Sequence, residues 1–196
     1  MEVGLLSSGG KDSTLAALLL EDNCDLTVLC GTFGITDDYE HAIAAGEAVG
    51  FETRRLALDP DVARDAVGQA IADGYPRNGI QTVHEHALER AAELDFDGIA
   101  DGTRRGDRVP TVPRSLAQSI EDRYGVDHLA PLAGIGRGAI DRLVEEHLRV
   151  ETGPSEEIEK GDYESELRAL IAEEHGTETV AEIFPEHSQS RVTGRR

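Results

Sequence analysis

The chain has 196 residues, of which 39% are hydrophobic, so it is long enough for one α/β domain with a short appendage. Its formal net charge is −20 at pH 7, and Lys11 and Lys160 are its only lysines, which excludes a nucleic-acid binder that works by overall positive charge. Its apolar runs are much shorter than the ~18 residues of a membrane span, and residues 1–6 lack the pattern of a secretory signal, so we expect a cytoplasmic protein with no membrane partner.

Short apolar runs alternate with amphipathic segments, which is typical of a parallel sheet covered by helices. The predicted strands are residues 3–6, 26–30, 53–58, 98–100 and 128–132. The predicted helices are residues 12–20, 37–49, 60–72, 80–94, 115–124 and 139–149, with Asn78 as a candidate N-cap ahead of the fourth. The fold class that follows is α/β, a Rossmann-like α/β/α sandwich with a parallel five-stranded sheet.

The composition changes after Val150. Residues 151–187 hold twelve acidic and two basic residues and one predicted helix at 163–174, whereas residues 188–196 hold three arginines and no acid. We therefore predict three parts: a domain at 1–150, an acidic helical extension at 151–187 and a basic flexible tail at 188–196. The tail is either a frayed terminus or a contact for phosphate groups.

Charge and cysteine content also bear on the environment of the protein. Dense carboxylates with almost no lysine favour a halophilic, salt-adapted surface over that of an ordinary acidic bacterial or archaeal enzyme. Cys24 and Cys30 are too few for a disulfide framework, so we expect both to be small packing residues in a reducing compartment.

A glycine loop at residues 7–13, Ser-Ser-Gly-Gly-Lys-Asp-Ser, joins the first predicted strand to the first helix. Gly9 and Gly10 have no side chains, so main-chain N–H groups can turn toward an anion, and the helix start adds unpaired donors. Lys11 adds a mobile positive charge. The spacing fits neither a Walker A loop nor a dinucleotide fingerprint. We predict a phosphate site, the alternative being an ordinary turn whose helix is capped by one of the loop's own polar side chains.

Residues 8–13, Ser-Gly-Gly-Lys-Asp-Ser, resemble the Ser-Gly-Gly-x-Asp-Ser signature of the PP-loop family, the N-type ATP pyrophosphatases, which includes asparagine synthetase, NAD synthetase and several tRNA-modifying enzymes. The resemblance implies an adenine nucleotide alpha-hydrolase fold. It also implies ATP and Mg²⁺ as cofactors and cleavage between the α- and β-phosphates, which adenylylates an acceptor and releases pyrophosphate. The ATP-binding residues that it implies here are Ser8, Gly9, Gly10, Lys11, Asp12 and Ser13.

A second motif follows the fourth predicted strand, where ligands gather in open parallel sheets. Gly102 and Thr103 resemble an ATP-binding step of PP-loop enzymes, and Asp107 resembles their Mg²⁺-binding acid. Asp12 is either a second metal ligand or a helix cap. The same stretch holds four arginines, which form a clamp for a triphosphate or an anionic acceptor, or else pair with surface carboxylates: Arg104, Arg105, Arg108 and Arg114. We predict Arg105 to act in catalysis with Lys11 and Asp107.

A third segment, residues 30–34, closes the second predicted strand. PP-loop relatives hold adenine here through backbone groups, so the resemblance implies ATP binding at Gly31, Thr32 and Phe33. Phe33 either packs on the purine or fills the core. Residues 75–100 contain no cysteine, so transfer of sulfur through a persulfide is not expected. The histidines form no recognised motif, and we expect most of them to be solvated.

Together these features predict an ATP-dependent adenylylating enzyme of archaeal type. The short chain with its arginine-rich loop and tail favours tRNA modification, with tRNA or another anionic acceptor as the partner besides ATP. Two alternatives stay open: a small-molecule amide ligase of the asparagine or NAD synthetase type, and a nucleotide-binding partner subunit without catalysis. The sequence identifies neither the acceptor nor the oligomeric state.

Overall fold

The computed structural model describes all 196 residues and contains a central sheet of five parallel strands. The strands are β1 (Glu2–Leu6), β2 (Asp25–Thr32), β3 (Glu52–Ala57), β4 (Gly98–Ala100) and β5 (Asp127–Leu129), in the order β3-β2-β1-β4-β5. All five predicted strands are present, and the predicted α/β sandwich with a five-stranded parallel sheet is confirmed. The central strand β1 is apolar because both of its faces are covered by helices.

Eight helices surround the sheet. They are α1 (Lys11–Leu20), α2 (Tyr39–Ala48), α3 (Pro60–Asp73), α4 (Arg77–Ala92), α5 (Arg114–Tyr124), α6 (Arg137–His147), α7 (Tyr163–His175) and α8 (Thr177–Ile183). The buried residues of α1, α2 and α6 form one core with one face of the sheet, and those of α3, α4, α5, α7 and α8 form a second core with the other face. The layered arrangement follows from the one apolar stripe that each helix must bury.

The predicted start of α4 was wrong. Asn78 is not the N-cap: the helix begins at Arg77 after Pro76, and the Asn78 amide donates to the carboxylate of Asp73 at 2.7 Å. The turn that separates α3 from α4 is therefore shorter than predicted. Gly74, in the left-handed conformation with φ 64°, ends α3 and leaves two residues before α4.

The prediction of a flexible tail at residues 188–196 was also wrong. Residues 188–195 form a strand, β7 (Ser188–Arg195), which pairs antiparallel with β6 (Leu148–Pro154) in a second sheet. Val192 is buried against the core of α1 and α2, and Arg191 pairs with Glu151 of β6. The segment is ordered because its arginines neutralise carboxylates of this acidic chain, while its alternate residues face inward.

The extension at residues 151–187 packs on the domain that precedes it. Leu167 and Ile171 of α7 and Phe184 after α8 are buried in the same core as α3 and α4. Glu166 of α7 reaches the end of β2, as described below. The extension thus forms one wall beside the central sheet. In this sheet the strand order reverses between β1 and β4. Ligands bind at such points in open α/β sheets.

Candidate functional site

A cavity of about 670 Å³ opens at the carboxyl ends of β1 and β4. Its floor is the glycine loop (residues 7–13) together with the β4 loop (residues 101–110), and the start of α4 and the C-terminal extension form its sides. The volume lies in the range of ~300–1,000 Å³ that is typical of small-molecule sites. The predicted placement of the first and second motifs at one edge of the sheet is therefore correct.

The glycine loop presents main-chain donors to this cavity. Gly9 has φ 77°, a conformation that favours glycine, and Gly10 is the N-cap of α1 without any capping side chain. The N–H groups of Ser8, Gly10, Asp12 and Ser13 have no hydrogen-bond acceptor in the chain. The first N–H groups of a helix have no partner within it, and they carry a partial positive charge. The loop therefore has the donors of an anion site.

Two carboxylates and two cations lie beside these donors. Asp12 does not cap α1: its carboxylate lies 3.2 Å from Lys11 Nζ and 3.2 Å from Arg104 Nη1. Asp107 accepts from the main-chain N–H of Arg104 at 2.7 Å and from its guanidinium at 2.7 and 2.9 Å. The two predicted metal ligands thus converge on one guanidinium. Partial burial alone would lower the pKa of Arg104, but the hydrogen bonds that its guanidinium donates to Asp107 help to hold the pKa above its usual value.

The structure places Arg104 at the cavity, and the predicted catalytic residue Arg105 outside it. Arg105 is exposed, does not line the cavity and makes no ion pair, whereas Arg104 lines the cavity between Asp12 and Asp107. Arg108 is also exposed, and Arg114 pairs with Glu121 on the surface of α5. The four arginines do not form one clamp, because only Arg104 of the four lines the cavity.

Gly102 fixes the distance between the two loops. A Cβ atom at Gly102 would lie 2.5 Å from Ser13 Cα and 2.6 Å from Ser13 N, so only glycine lets the β4 loop pass this close to α1. Thr103 follows and donates its main-chain N–H to Asp101 at 2.7 Å. Both predicted residues line the cavity.

The predicted adenine site at the end of β2 is covered. Glu166 of α7 accepts from the main-chain N–H groups of Phe33 and Ile35 at 2.9 and 3.0 Å and from the hydroxyl of Thr32 at 2.9 Å. Gly31, Thr32 and Phe33 do not line the cavity, and Phe33 is buried in the core. Of the two alternatives for Phe33, the structure therefore shows the second, in which its side chain fills the core, and the donors around it bind an acidic side chain of the extension.

A buried polar group that the sequence did not reveal lies deeper in the cavity. Asp101 is 1% exposed and its Oδ2 lies 2.8 Å from His128 Nε2. Burial alone would raise the pKa of Asp101, but the hydrogen bond to His128 and those from Thr103 hold it below its usual value. His84 of α4 is also buried, and burial lowers the pKa of its imidazole.

His84 and His128 are exceptions to the expectation that most histidines are solvated. His84 occurs in a helix with apolar residues on its buried face, so its burial could have been read from the apolar stripe through Ile80, Val83 and Ala87. His128 of β5 contacts Asp101 of the β4 loop, which lies 27 residues earlier in the chain, and no local pattern reveals such a contact.

The C-terminal extension (residues 151–187) and strand β7 supply the remaining wall of the cavity. Val192 donates its N–H to the carbonyl of Gly9 at 3.0 Å, and the N–H of Lys11 lies 3.5 Å from the hydroxyl of Ser190. The other residues of this wall that line the cavity are Thr152, Gly161, Asp162, Tyr163, Glu164, Phe184, Pro185, His187, Ser188 and Gln189. Strand β7 therefore buttresses the glycine loop directly.

The two cysteines are free and lie outside the cavity. Cys30 is fully buried, and burial raises the pKa of its thiol to about 12. The prediction that Cys30 is a packing residue is confirmed, because its side chain is part of the buried core on the α1 and α2 face of the sheet.

Comparison with known proteins shows the family to which the chain belongs. The sequence model of a family of unknown function, DUF7411, matches residues 1–194. The chain belongs to this family. An uncharacterized protein of Methanocaldococcus jannaschii is 36% identical over 197 residues, which are 99% of this chain and 96% of that protein.

A crystal structure from Methanocaldococcus jannaschii, described as that of a predicted subunit of tRNA methyltransferase, has the same fold. It superposes with a TM-score of 0.90 at 34% identity, covering 100% of this chain and 98% of that one. The similarity therefore includes the C-terminal extension and β7 as well as the five-stranded sheet. None of the helices in this chain combines the length and apolar character that crossing a membrane requires.

Proposed function

We propose that this protein binds ATP at the glycine loop, cleaves it to AMP and pyrophosphate, and adenylylates an acceptor in tRNA modification. The observation that carries the proposal is the cradle of unpaired N–H groups of Ser8, Gly10, Asp12 and Ser13, which lies beside Lys11 at the floor of a cavity of suitable size. Main-chain donors at a helix N-terminus, next to a mobile cation, are a good match for a chain of phosphates.

The residues that line this part of the cavity carry the type of ligand atom that a magnesium ion binds. Asp12 and Asp107 already converge on one cationic group, the guanidinium of Arg104, and carboxylate oxygens are the ligands that Mg²⁺ prefers. No three carboxylate, histidine or cysteine side chains cluster to hold a metal by themselves, so phosphate oxygens would have to complete the set. Asp12 and Asp107 would hold the ion, which supplies charge neutralisation on the phosphates when bound.

The chain's own groups account for the remaining chemistry. An oxygen of the acceptor attacks the α-phosphate, forming a new P–O bond as the bond to the leaving pyrophosphate breaks. A second nucleophile or water then attacks the adenylylated carbon of the acceptor, and AMP leaves with the acceptor oxygen. The N–H groups of the loop and the ammonium of Lys11 stabilise the negative charge that accumulates on the phosphates. The guanidinium of Arg104 lines the same cavity and, once released from Asp12 and Asp107, would offer bidentate donors to the leaving group.

The tRNA context has two supports. One is the similarity to the protein described as a predicted subunit of tRNA methyltransferase. The other is the distribution of arginine: Arg77, Arg105 and Arg108 are exposed near the cavity or on the loop that lines it, and none has a carboxylate partner. Most other arginines of this acidic chain are paired, so unpaired ones here are suited to the phosphates of an RNA acceptor.

The description of that neighbour as a subunit also favours a second candidate, a nucleotide-binding partner subunit without catalysis. In this candidate, Arg104 stays between Asp12 and Asp107 and takes the place of the metal ion. ATP would then bind without being cleaved.

Product analysis tests the proposal. ATP, Mg²⁺ and total archaeal tRNA are incubated with the wild type, and nucleotides and pyrophosphate are quantified. We expect AMP and pyrophosphate in equal amounts, and a decrease of about 100-fold or more in Lys11→Ala and Asp107→Asn. Arg104→Ala should lose about tenfold in ATP affinity, whereas Arg105→Ala should keep that affinity. Formation of ADP and phosphate would contradict the proposal, and tight binding without turnover would favour the partner subunit.

A further inference from the structure

The end of β2 offers no donors to a nucleobase in this chain. The N–H groups of Phe33 and Ile35 both donate to the buried carboxylate of Glu166. A Cβ atom at Gly31 would lie 3.1 Å from the ring of Tyr163, so α7 also fills the space above the strand. A nucleotide whose phosphates lie at the glycine loop must therefore place its base elsewhere.

The cavity continues from the glycine loop to His84 and Tyr163. The ring of His84 lines the cavity and is 5% exposed, and its Nε2 is buried without any hydrogen-bond partner. Tyr163 lines the same part of the cavity, with its ring centroid 6.1 Å from that of His84 and the two planes inclined at 55°. A buried polar atom without a partner is costly, and its presence in a cavity points to a ligand.

The chemistry of this end of the cavity is that of a base-recognition site. Burial lowers the pKa of His84, so its ring is neutral and has one donor and one acceptor nitrogen. Burial also raises the pKa of the Tyr163 hydroxyl, which stays protonated and can donate. Aromatic faces next to a donor and an acceptor match the plane and the edge of a nucleobase. The phosphate cradle carries the donors for the opposite end of the same molecule.

We propose that the base of the bound nucleotide lies against His84 and Tyr163, on the α4 side of the cavity, and not at the end of β2. The inference rests on the proposed binding of nucleotide phosphates at the glycine loop. It assigns recognition of the base to α4 and α7, so the C-terminal extension both blocks one position for the base and builds another.

Isothermal titration of two ligands separates base from phosphate contacts. ATP and inorganic tripolyphosphate are titrated, each with Mg²⁺, into the wild type, His84→Phe and His84→Gln. We expect His84→Phe to weaken ATP binding about tenfold, which corresponds to about 1.4 kcal/mol, and to leave tripolyphosphate binding unchanged. His84→Gln restores an amide atom near the position of Nε2 and should recover most of the affinity for ATP. The matched control is His175→Phe, because His175 is exposed at the end of α7.

Other outcomes overturn the inference in distinguishable ways. Unchanged ATP affinity in His84→Phe would place the base elsewhere, and equal losses for both ligands would mean that His84 only supports the loops. If the wild type binds neither ligand, the proposed function itself fails. A measurement on the wild type alone avoids any folding defect: the imidazole ¹⁵N signals of His84 should shift with ATP and stay in place with tripolyphosphate, and equal shifts with both would contradict the proposal.

Discussion

His84 combines complete burial with a neutral ring and an unpaired nitrogen. Because burial lowers its pKa in the folded state, the unfolded chain takes up a proton at this residue as the pH falls below the ordinary value of 6.5, while the folded chain does not. Proton uptake by the unfolded chain at His84 therefore costs no stability above pH 6.5, and stability is lost as the pH falls from there toward the folded pKa.

The first prediction follows from this loss of stability with falling pH. Between pH 7 and about pH 5.5, the free energy of unfolding of the wild type should fall more steeply than that of His84→Phe, by at most about 1.4 kcal/mol per pH unit. Urea denaturation at a fixed KCl concentration measures both slopes. Parallel slopes would show that His84 is protonated in the folded protein, and the account of its neutral ring would then be wrong.

The residues of the glycine loop that face the cavity could be predicted because they lie next to one another in the sequence. Gly9, Gly10 and Lys11 lie in the order in which a strand, a turn and a helix must follow one another, and the structure places all three at the cavity or directly beneath it. The choice between Arg104 and Arg105 was not predictable. It depends on how the β4 loop folds back so that Asp107 binds the main-chain N–H of Arg104.

At the scale of elements, α7 packs on the core through its apolar residues and is hydrogen-bonded to the end of β2 through one carboxylate. Glu166 is 3% exposed and accepts from three donors at the end of β2. Its removal leaves these donors without an acceptor in a place that water does not reach, and unpaired buried groups cost about 1–3 kcal/mol each.

The second prediction concerns this anchor. Glu166→Ala should lower the free energy of unfolding by about 3 kcal/mol, whereas Glu173→Ala, on the exposed face of the same helix, should change it by less than about 0.5 kcal/mol. Chemical denaturation of both variants makes the comparison. Equal effects would mean that Glu166 does not hold α7 to β2.

Strand β7 is the second element with a structural role that the sequence concealed. Val192 is 1% exposed and its N–H bonds the glycine loop, whereas its neighbour Thr193 is exposed. The third prediction is that Val192→Asp destabilises the protein by about 3 kcal/mol or more, because it buries an unpaired charge, while Thr193→Asp has little effect. Thermal unfolding of both variants tests this prediction. A small change in melting temperature for both would support the original prediction that residues 188–196 are flexible.

The reason why β6 and β7 were missed is physical. A strand of the central sheet is an apolar run covered on both faces, and such runs are visible in a sequence. Strand β7 instead reads Ser-Gln-Ser-Arg-Val-Thr-Gly-Arg and is stabilised by pairing with β6 and by ion pairs such as Arg195 with Glu21. These partners lie 34 or more residues away along the chain, so no local pattern indicates them.

The whole molecule carries a formal net charge of −20, which opposes compaction through repulsion between carboxylates. Arginines offset the repulsion in pairs such as Arg191 with Glu151 and Glu159, but most acidic residues have no such partner. Dissolved salt screens the remaining repulsion, since the Debye length falls from about 10 Å at 0.1 M to about 3 Å at 1 M.

The fourth prediction is that the protein is stabilised by salt. The melting temperature should rise by about 10 °C between about 0.1 M and about 2 M KCl, equivalent to about 3 kcal/mol for a chain of this size. Differential scanning calorimetry measures the change, and NaCl should give the same gain as KCl if screening is the cause. A melting temperature that is flat or falls with salt would contradict a salt-adapted surface.

The central claim is that the main-chain N–H groups of the glycine loop bind phosphate, and chemical shifts of the amides test it most directly. Tripolyphosphate with Mg²⁺ is titrated into ¹⁵N-labelled protein, and the signals of Gly10, Asp12 and Ser13 are followed together with those of Phe33 and Ile35, which already donate to Glu166. We predict saturable shifts at Gly10, Asp12 and Ser13 and little change at Phe33 and Ile35. Unmoved signals at the glycine loop, or shifts confined to the end of β2, would contradict the account.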